Sequence, residues 1–427
     1  MRALLTIAFL AALAAPAAAE PLDTFGFGAR ASSMAGATTA ATRGSAATHA
    51  NPAGVASIDD PEVTLGWGFG HMALSLSGRD ARVLDPHGTD VGLAIPVRIG
   101  ATTHAFGLAL YLPDQFIARL QLIPATEPHF VRLDNDAHRV VAEPVYSLRL
   151  SPYFSVGAGV SVLTNVAGNG ITFNVGIVGG EKVGESALDV SLPTSVTPLV
   201  GLLVTPTPRV RLGASWRGEL DLGLKLDILA NVDVAGVVTG DAIISLRAIN
   251  YFTPHRVNAG IAIDVSEELT LTAEIGWQAW SRFKGGVPDL KVLVALGISP
   301  PLVPALFPED HFEDTWSPRA GAEWQTRIGR TDFAVRAGYA YEPTPVPEQT
   351  GLTSFADNAR HVVGFGLGLT LRAFQPILTR PVSFDLGAQW HHLESRLTIK
   401  DQQMFPGVTL RSDGEIVRGA MTMTVAF

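Results

Sequence analysis

Residues 363–371 read VGFGLGLTL, so that a large apolar residue alternates with glycine or threonine. Because successive side chains of a β-strand point to opposite faces, this stretch predicts a strand with one wide apolar face and one face of small groups. Four further stretches alternate in the same way: Phe154–Val162, Leu269–Trp277, Phe333–Tyr341 and Val382–Trp390.

The composition indicates where such strands lie. Hydrophobic residues make up 47% of the chain and charged residues only 17%, below the usual level of about 25%. The longest nearly apolar run, Val292–Phe307, contains three prolines, which exclude a straight lipid-facing helix. Lipid offers no water to an open sheet edge, so a hydrophobic, strand-rich chain predicts a closed barrel in a membrane.

The N-terminus predicts export. Met1-Arg2 precedes the apolar run Ala3–Leu13 and the small residues Ala17-Ala18-Ala19, which together are typical of a signal peptide, residues 1–19. The alternative, a membrane anchor, needs a longer apolar run of about 20 residues. The chain has no cysteine and a net charge of −9, which excludes disulfides and lipidation at cysteine and argues against a nucleic-acid partner.

Period-2 segments and turn signals predict 14 strands, an even number typical of an outer-membrane barrel. They are expected near 63–78, 89–97, 103–122, 139–150, 153–166, 193–205, 209–221, 254–265, 269–281, 314–326, 331–342, 357–373, 381–398 and 407–427. Short turns alternate with long connections, so both chain ends are predicted to be periplasmic and the long loops extracellular. The terminal Phe427 resembles the signal read by the outer-membrane assembly machinery.

Residues 20–62 lack this alternation, and 31–50 are rich in alanine, serine, threonine and glycine. A segment with so few large side chains cannot build a core of its own. We predict that it lies inside the barrel (residues 63–427) as an N-terminal hatch, or plug. The alternative is a disordered periplasmic tail.

Several motifs carry a family resemblance. Residues 28–37 (GARASSMAGA) and 51–56 (NPAGVA) resemble the N-terminal hatch of the FadL family of outer-membrane transporters for long-chain fatty acids, which includes TodX-like channels for aromatic hydrocarbons. Further matches follow in order along the chain: Glu143-Pro144, 212–217 (LGASWR), 280–283 (WSRF), 336–339 (RAGY) and 357–361 (DNARH).

The resemblance implies a 14-stranded antiparallel transmembrane β-barrel, all-β, with the hatch in its lumen. It also implies capture of a hydrophobic molecule by apolar extracellular loops, binding in the lumen and sideways release into the bilayer. Sideways release is physically reasonable because burial of each methylene of a fatty chain is favourable by about 0.8 kcal/mol.

The predicted third strand, His104–Leu122, is interrupted by proline, which cannot donate to a sheet ladder. The family has its lateral opening at a kink in this strand. The resemblance therefore implies an opening at Pro113 and Asp114, with Asn51, Pro52 and Ala53 on its hatch side. The alternative is an ordinary bulge.

Two further groups are candidate binding residues. An apolar extracellular loop needs a purpose, so the loop 285–307 is predicted to capture ligand, or alternatively to cover the lumen as a lid. Its large residues include Leu290, Leu293, Leu296, Leu302, Leu306 and Phe307. Arg211 and Arg336, on the polar faces of their strands, are possible contacts for a carboxylate head group; the alternative is an ion-pair network that stiffens the wall.

The expected partners are hydrophobic small molecules, outer-membrane lipid, lipopolysaccharide and the assembly machinery. Long-chain fatty acids are the leading ligand class over aromatic or alkane hydrocarbons. A porin would need a large charged inward loop. An outer-membrane enzyme would need a nucleophile beside a base, and neither G-x-S-x-G nor H-E-x-x-H occurs. We predict no catalytic residue, no metal site and no cofactor.

Overall fold

A computed structural model describes residues 21–114, 128–133, 140–163, 166–167, 171–175, 184–188, 191–192, 194–234, 238–283, 289–295, 311–349, 353–372, 380–400 and 409–427. The predicted signal peptide lies outside these residues. Among the described residues, no helix is both long enough and apolar enough to cross a membrane.

Fourteen long antiparallel strands form one closed sheet, as predicted. They are β1 Glu62–Leu76, β2 His87–Ile99, β3 Thr102–Pro113, β4 Val141–Ser151, β5 Phe154–Leu163, β6 Ser195–Thr207, β7 Val210–Arg217, β8 Arg256–Asp264, β9 Leu269–Gln278, β10 Thr315–Ile328, β11 Thr331–Glu342, β12 Arg360–Leu371, β13 Val382–Ile399 and β14 Thr409–Ala426. A two-residue strand, Arg79–Asp80, extends the sheet beside β1. β1 pairs with β2 on one side and with β14 on the other, which closes the barrel.

The two faces of the wall differ as the alternation predicts. In β12, Val363, Phe365 and Leu367 are 44%, 53% and 48% exposed on the outside, whereas Val362 is buried on the inside. Large apolar groups are favourable against lipid. Many inner positions hold small or polar residues, although apolar side chains such as Val362 and Ile416 are also buried there. The lumen can therefore hold a second layer of protein.

Some of the long connections contain strands of their own. Leu220–Val234 and Val238–Thr253 form a hairpin, and Asp289–Ala295 joins it as a third strand. Another connection contains two short pairs, Val166–Ala167 with Ser191–Leu192 and Ile171–Val175 with Gly184–Leu188. His129–Phe130 pairs in parallel with Phe355–Ala356, so loops far apart in sequence meet at the extracellular end.

Residues 21–61, the N-terminal segment, lie against the inner face of the wall. Their helices are α1 Pro21–Phe25, α2 Gly28–Ser33 and α3 Ala47–Ala50, with 3₁₀ turns at Gly44–Ala46 and Pro52–Ser57. Glycines of the wall make room for their backbone. A Cβ atom added at Gly338 would lie 2.2 Å from the Met34 carbonyl carbon, and one at Gly387 would lie 2.4 Å from the Ala29 oxygen.

We expect Gly338→Ala to displace the N-terminal segment, because the new methyl group would overlap backbone that cannot rotate away. Ion conductance of the purified barrel in a planar bilayer should rise as the lumen opens. Gly260→Ala is the matched control, since its nearest neighbour would lie at 3.3 Å and conductance should stay at the parent level. Equal conductance of the two variants would contradict this packing.

Candidate functional site

The N-terminal segment and the wall enclose a cavity of about 90 Å³, the lumen pocket. The segment contributes Phe25, Phe27 and His49, among others, and the wall contributes Arg256, Asn258, Glu274, Arg319, Glu342 and Gln389. A water needs roughly 10–15 Å³ of such space, so the pocket has room for several waters. Sites for drug-sized ligands span about 300–1,000 Å³. A long-chain ligand therefore fits only if the surrounding segments move.

Four arginines, Arg132, Arg256, Arg319 and Arg360, form a band at the extracellular side of this pocket, the arginine band. Glu342 is its centre. Arg360 donates to Glu342 Oε2 from Nε at 2.8 Å and from Nη2 at 2.5 Å, and Arg319 Nη2 lies 3.5 Å from Oε1. Arg319 also pairs with Glu274 at 3.1 Å, and Arg132 with Asp357 at 3.2 Å. Four cations thus face three carboxylates in a largely buried site.

Above the arginine band, apolar side chains close the extracellular mouth. This mouth cluster consists of the buried residues Val131, Phe252, Trp280, Phe283, Phe312, Val346 and Phe355. The Phe283 and Phe312 rings lie 4.7 Å apart, and the Arg132 guanidinium lies 5.5 Å from the Trp280 ring centre. An apolar layer therefore lies directly on a cationic one.

Charged groups fasten the N-terminal segment to the wall. Arg30 donates to both carboxylate oxygens of Glu323, at 2.9 and 3.1 Å. The Thr39 amide donates to Glu274 at 2.9 Å. His49 lies 3.0 Å from Glu143 Oε2, and Arg217 donates to the other oxygen of the same carboxylate. The segment is thus held by an ion pair and by hydrogen bonds to buried carboxylates, which a purely apolar lumen would not offer.

The ladder between β4 and β5 is interrupted beside this last ion pair. Val141 pairs with Leu163 and Ala142 pairs with Val162, and the next pair is Val145 with Gly159. Glu143 and Pro144 of β4 therefore have no paired residue on β5. Proline has no amide hydrogen to donate. The backbones also crowd there, since a Cβ at Gly159 would lie 2.3 Å from the Pro144 oxygen. We call this interruption the β4–β5 seam.

The predicted hatch residues face β5 and β6. Asn51 Nδ2 donates to the oxygens of Thr39 and Leu202 at 2.9 and 3.0 Å. A Cβ at Gly157 would lie 2.4 Å from the Pro52 carbonyl carbon, and the buried Ala53 accepts from Ser147 at 3.1 Å. These contacts place residues 51–53 within about four residues of the seam along β4 and β5.

Pro113 and Asp114 lie at the end of β3, away from the hatch residues Asn51, Pro52 and Ala53. β3 ends at Pro113, which pairs with Gly88, and the rest of the predicted strand, residues 115–122, lies outside the described residues. The segment touches β3 at Gly107, where Thr48 and Val55 are neighbours, and six residues of strand span about 20 Å. Asp114 accepts from Trp67 Nε1 at 2.7 Å, on the exposed rim. The structure therefore does not bring the two predicted sides of the opening together.

The other predicted residues divide as follows. Arg211 makes a bidentate pair with Asp264, at 2.6 and 2.7 Å, and Arg336 pairs with Glu323 and, at 2.6 Å, with Asp385. Both arginines thus belong to ion-pair networks, and neither lines the lumen pocket. Leu290 and Leu293 lie on the strand Asp289–Ala295. Leu296, Leu302, Leu306 and Phe307 lie outside the described residues.

Sequence reasoning missed the arginine band. Arg319 and Arg360 are single charges in otherwise small or apolar surroundings, and Arg132 and Arg256 lie just outside regular alternation. Their one shared signal is a position near the extracellular end of a predicted strand or in an adjoining loop. Only barrel closure brings these four positions around one carboxylate.

Together, the closed barrel, the apolar mouth and the charged lumen define a transport protein of the bacterial outer membrane. The sequence model of the outer membrane protein transport protein family (OMPP1/FadL/TodX) matches residues 8–427. The chain therefore belongs to this family, whose members are transport channels. A comparison with curated protein sequences gave no match.

Solved structures share the fold. A Pseudomonas aeruginosa FadL homologue is 16% identical, with 94% of this chain and 97% of that chain covered and a TM-score of 0.59. The monoaromatic hydrocarbon channel CymD is 17% identical, with 95% and 98% covered and a TM-score of 0.56. The P. putida toluene transporter TodX is 15% identical, with 95% and 99% covered and a TM-score of 0.55. Identities this low establish a common fold, not a common ligand.

Removal of the Glu323 charge should destabilise the barrel strongly. Glu323→Gln leaves Arg30 and Arg336 facing a neutral amide in a buried site, and breaking such a pair costs about 3–5 kcal/mol. The midpoint of urea unfolding in liposomes measures the effect. Asp332→Asn is the control, because its partners Arg327 and Arg372 are about half exposed and exposed pairs contribute about 1 kcal/mol or less. Equal shifts of the two midpoints would contradict an anchoring role for Glu323.

Proposed function

We propose that the protein takes up long-chain fatty acids across the outer membrane, passively, without a cofactor or a catalytic step. The observation that carries this proposal is the arginine band directly beneath the mouth cluster. An apolar layer over a cationic layer matches an apolar chain that ends in a carboxylate.

The charge of the lumen favours a fatty acid over an aromatic or alkane hydrocarbon. Burial of an arginine is costly unless an anion faces it. In this structure Arg319 is paired with Glu274 and Glu342. A hydrocarbon has no group that could replace such a carboxylate, whereas the carboxylate of a fatty acid can accept hydrogen bonds from Arg256 or Arg319. Monoaromatic hydrocarbons, the cargo named for CymD and TodX, are the second candidate, because the mouth cluster is rich in aromatic rings.

Capture would begin at the extracellular loops, with Leu290, Leu293, Leu296, Leu302, Leu306 and Phe307 as the proposed first contacts. The chain would then part the mouth cluster, and the head group would reach the arginine band. Residues 20–62 would act as the hatch beneath it. Because the lumen pocket is about 90 Å³, this route requires a shift of the hatch.

We place the lateral exit at the β4–β5 seam rather than at Pro113 and Asp114. The seam combines missing backbone pairs with the nearby hatch residues Asn51, Pro52 and Ala53. An apolar chain that passed there would enter the bilayer at once, where each methylene is favourable by about 0.8 kcal/mol. The Pro113 rim is the alternative exit.

Uptake assays test the ligand class. In a Gram-negative host that lacks its own fatty-acid channel, expression of the protein should support uptake of radiolabelled oleate and not of a labelled disaccharide. Disaccharide uptake without oleate uptake would instead establish a porin. Toluene uptake without oleate uptake would establish a hydrocarbon channel.

Arg256→Gln should lower oleate uptake about tenfold or more, because a hydrogen bond to a charged group is worth about 1.5–3 kcal/mol. Toluene uptake should be unchanged, since toluene has no head group. Arg282→Gln is the matched control: it removes an arginine at the same end of the barrel whose side chain is 56% exposed. If Arg256→Gln lowered toluene uptake as much as oleate uptake, the residue would have a general structural role.

Two disulfides distinguish the exits, and the absence of cysteine from the chain leaves only the introduced pair. Ala142→Cys with Val162→Cys crosses the β4–β5 seam, and Thr89→Cys with Leu112→Cys crosses β2–β3 beside Pro113. Paired strand positions have Cα separations that suit a disulfide. We expect oxidation of the first pair alone to reduce oleate uptake, with recovery after reduction. Loss with the second pair alone would place the exit at Pro113.

The remaining partners follow from the location of a barrel. Outer-membrane lipid and lipopolysaccharide would surround its apolar outer face, and the assembly machinery would insert it, with Phe427 as the proposed terminal signal. The described part of the chain contains no group of three or more histidine, cysteine, aspartate or glutamate side chains placed to hold a metal.

A further inference from the structure

A second cavity, of about 540 Å³, lies at the opposite, periplasmic end of the barrel. We call it the periplasmic cavity. The N-terminal segment contributes Arg30 and Arg43, and the ends and turns of β7 to β10 contribute Arg209, Arg211, Asp264 and Glu267. Its volume is within the range of about 300–1,000 Å³ that is typical of ligand sites.

The arginines of this cavity are unequally paired. Arg211 is bound by Asp264 at 2.6 and 2.7 Å, and Arg30 by Glu323 at 2.9 and 3.1 Å. Asp264 also accepts from Thr270, and Glu323 is shared with Arg336. Each of these carboxylates therefore already binds an arginine and a second side chain.

Arg43 and Arg209 have no such partner. Across the described residues, neither side chain makes a hydrogen bond or an ion pair, although both line the cavity. Both residues are exposed. Desolvation and the neighbouring cations Arg211 and Arg30 lower the pKa of Arg43, while Asp264 and Glu323 act in the opposite direction. Positive charge that the nearby carboxylates only partly balance favours the binding of an anion. Glu267, on the turn between β8 and β9, is the one further carboxylate that lines the cavity.

We propose that the periplasmic cavity binds an oxyanion head group, a carboxylate or a phosphate, between Arg43 and Arg209. The unpaired guanidinium groups offer planar sets of donors that match either oxyanion. The site stands on the charges of the cavity and does not depend on which cargo crosses the barrel.

The cavity also adjoins the lumen pocket. Arg30 and Ala46 line both the lumen pocket and the periplasmic cavity. The Arg30–Glu323 pair therefore lies at the boundary between these two cavities. An anionic cargo whose head group replaced Glu323 at Arg30 would next meet Arg43. The second site therefore offers a head group a binding position on the periplasmic side of the N-terminal segment.

The test uses the full-length mature barrel in a neutral detergent, with Ser266→Cys labelled by an environment-sensitive fluorophore. Ser266 lines the cavity, and the chain has no other cysteine. The titrants are sodium octanoate, inorganic phosphate and 1-octanol. We expect saturable responses to octanoate and to phosphate, and none to octanol.

The double variant Arg43→Gln, Arg209→Gln should raise both apparent Kd values about tenfold or more, because two charge-assisted contacts are lost. Arg330→Gln, an exposed arginine on the adjacent turn that does not line the cavity, should leave them within about twofold. Added KCl should weaken binding to the parent protein, and this measurement needs no variant to fold.

The ratio of the octanoate affinity to the phosphate affinity distinguishes a carboxylate ligand from a phosphate ligand. Octanoate that binds about tenfold tighter than phosphate indicates a carboxylate with an alkyl chain, as in a cargo molecule. Equal or tighter phosphate binding indicates a phosphate head group or free phosphate. An octanol response equal to that of octanoate, no saturable anion response, or an equal effect of Arg330→Gln would each overturn the proposal. None of these outcomes depends on the uptake of oleate.

Discussion

The requirement that backbone hydrogen bonds be satisfied inside lipid governs this structure. A strand edge left open in the membrane would expose unpaired N–H and C=O groups at a cost of several kcal/mol each. Pairing of β1 with both β2 and β14 removes that edge. In a closed barrel, one face of every strand contacts lipid and the other faces the lumen, and large apolar side chains are favoured on the face that contacts lipid. Much of the inner wall thereby carries small and polar groups, which is why glycines and buried ion pairs occur together there, whereas larger apolar side chains such as Leu74, Leu393 and Ile416 pack inside the barrel near its extracellular end.

The same restriction explains how the lumen is filled. Wall glycines such as Gly338 and Gly387 let the backbone of the N-terminal segment lie directly on the strands. Where glycine is absent, charged groups such as Glu143, Glu274 and Glu323 take over the contact. Buried ions need partners, and most of the arginines and carboxylates supply them to each other. Among the described residues, Arg43 and Arg209 at the periplasmic cavity are exceptions.

Much of the fold could be predicted from the sequence because period-2 alternation is a local property. The strands, their even number and the alternation of short and long connections each depend on neighbouring residues. The third strand is the instructive exception. Proline at position 113 signals a break, and β3 ends at that residue; residues 115–122 of the predicted strand lie outside the described residues. The hairpin of Leu220–Val234 and Val238–Thr253 was not predicted, and residues 222–253 were assigned to a long connection. Alternation indicates a strand, but it does not show whether that strand belongs to the barrel wall or to a loop.

By itself, the sequence predicted a closed barrel with an apolar outside, since abundant side-chain alternation, a hydrophobic composition and an export signal together favour strands that face lipid. It also determined membership of a family through short motifs in a fixed order. Only the tertiary structure decided which charges meet. Arg132, Arg256, Arg319 and Arg360 lie far apart in the chain, as do Arg43 and Arg209, and their meeting depends on strand register and on the depth of the N-terminal segment. The physical reason is that a carboxylate selects its partner by distance in space, and that distance is set by closure of the whole sheet.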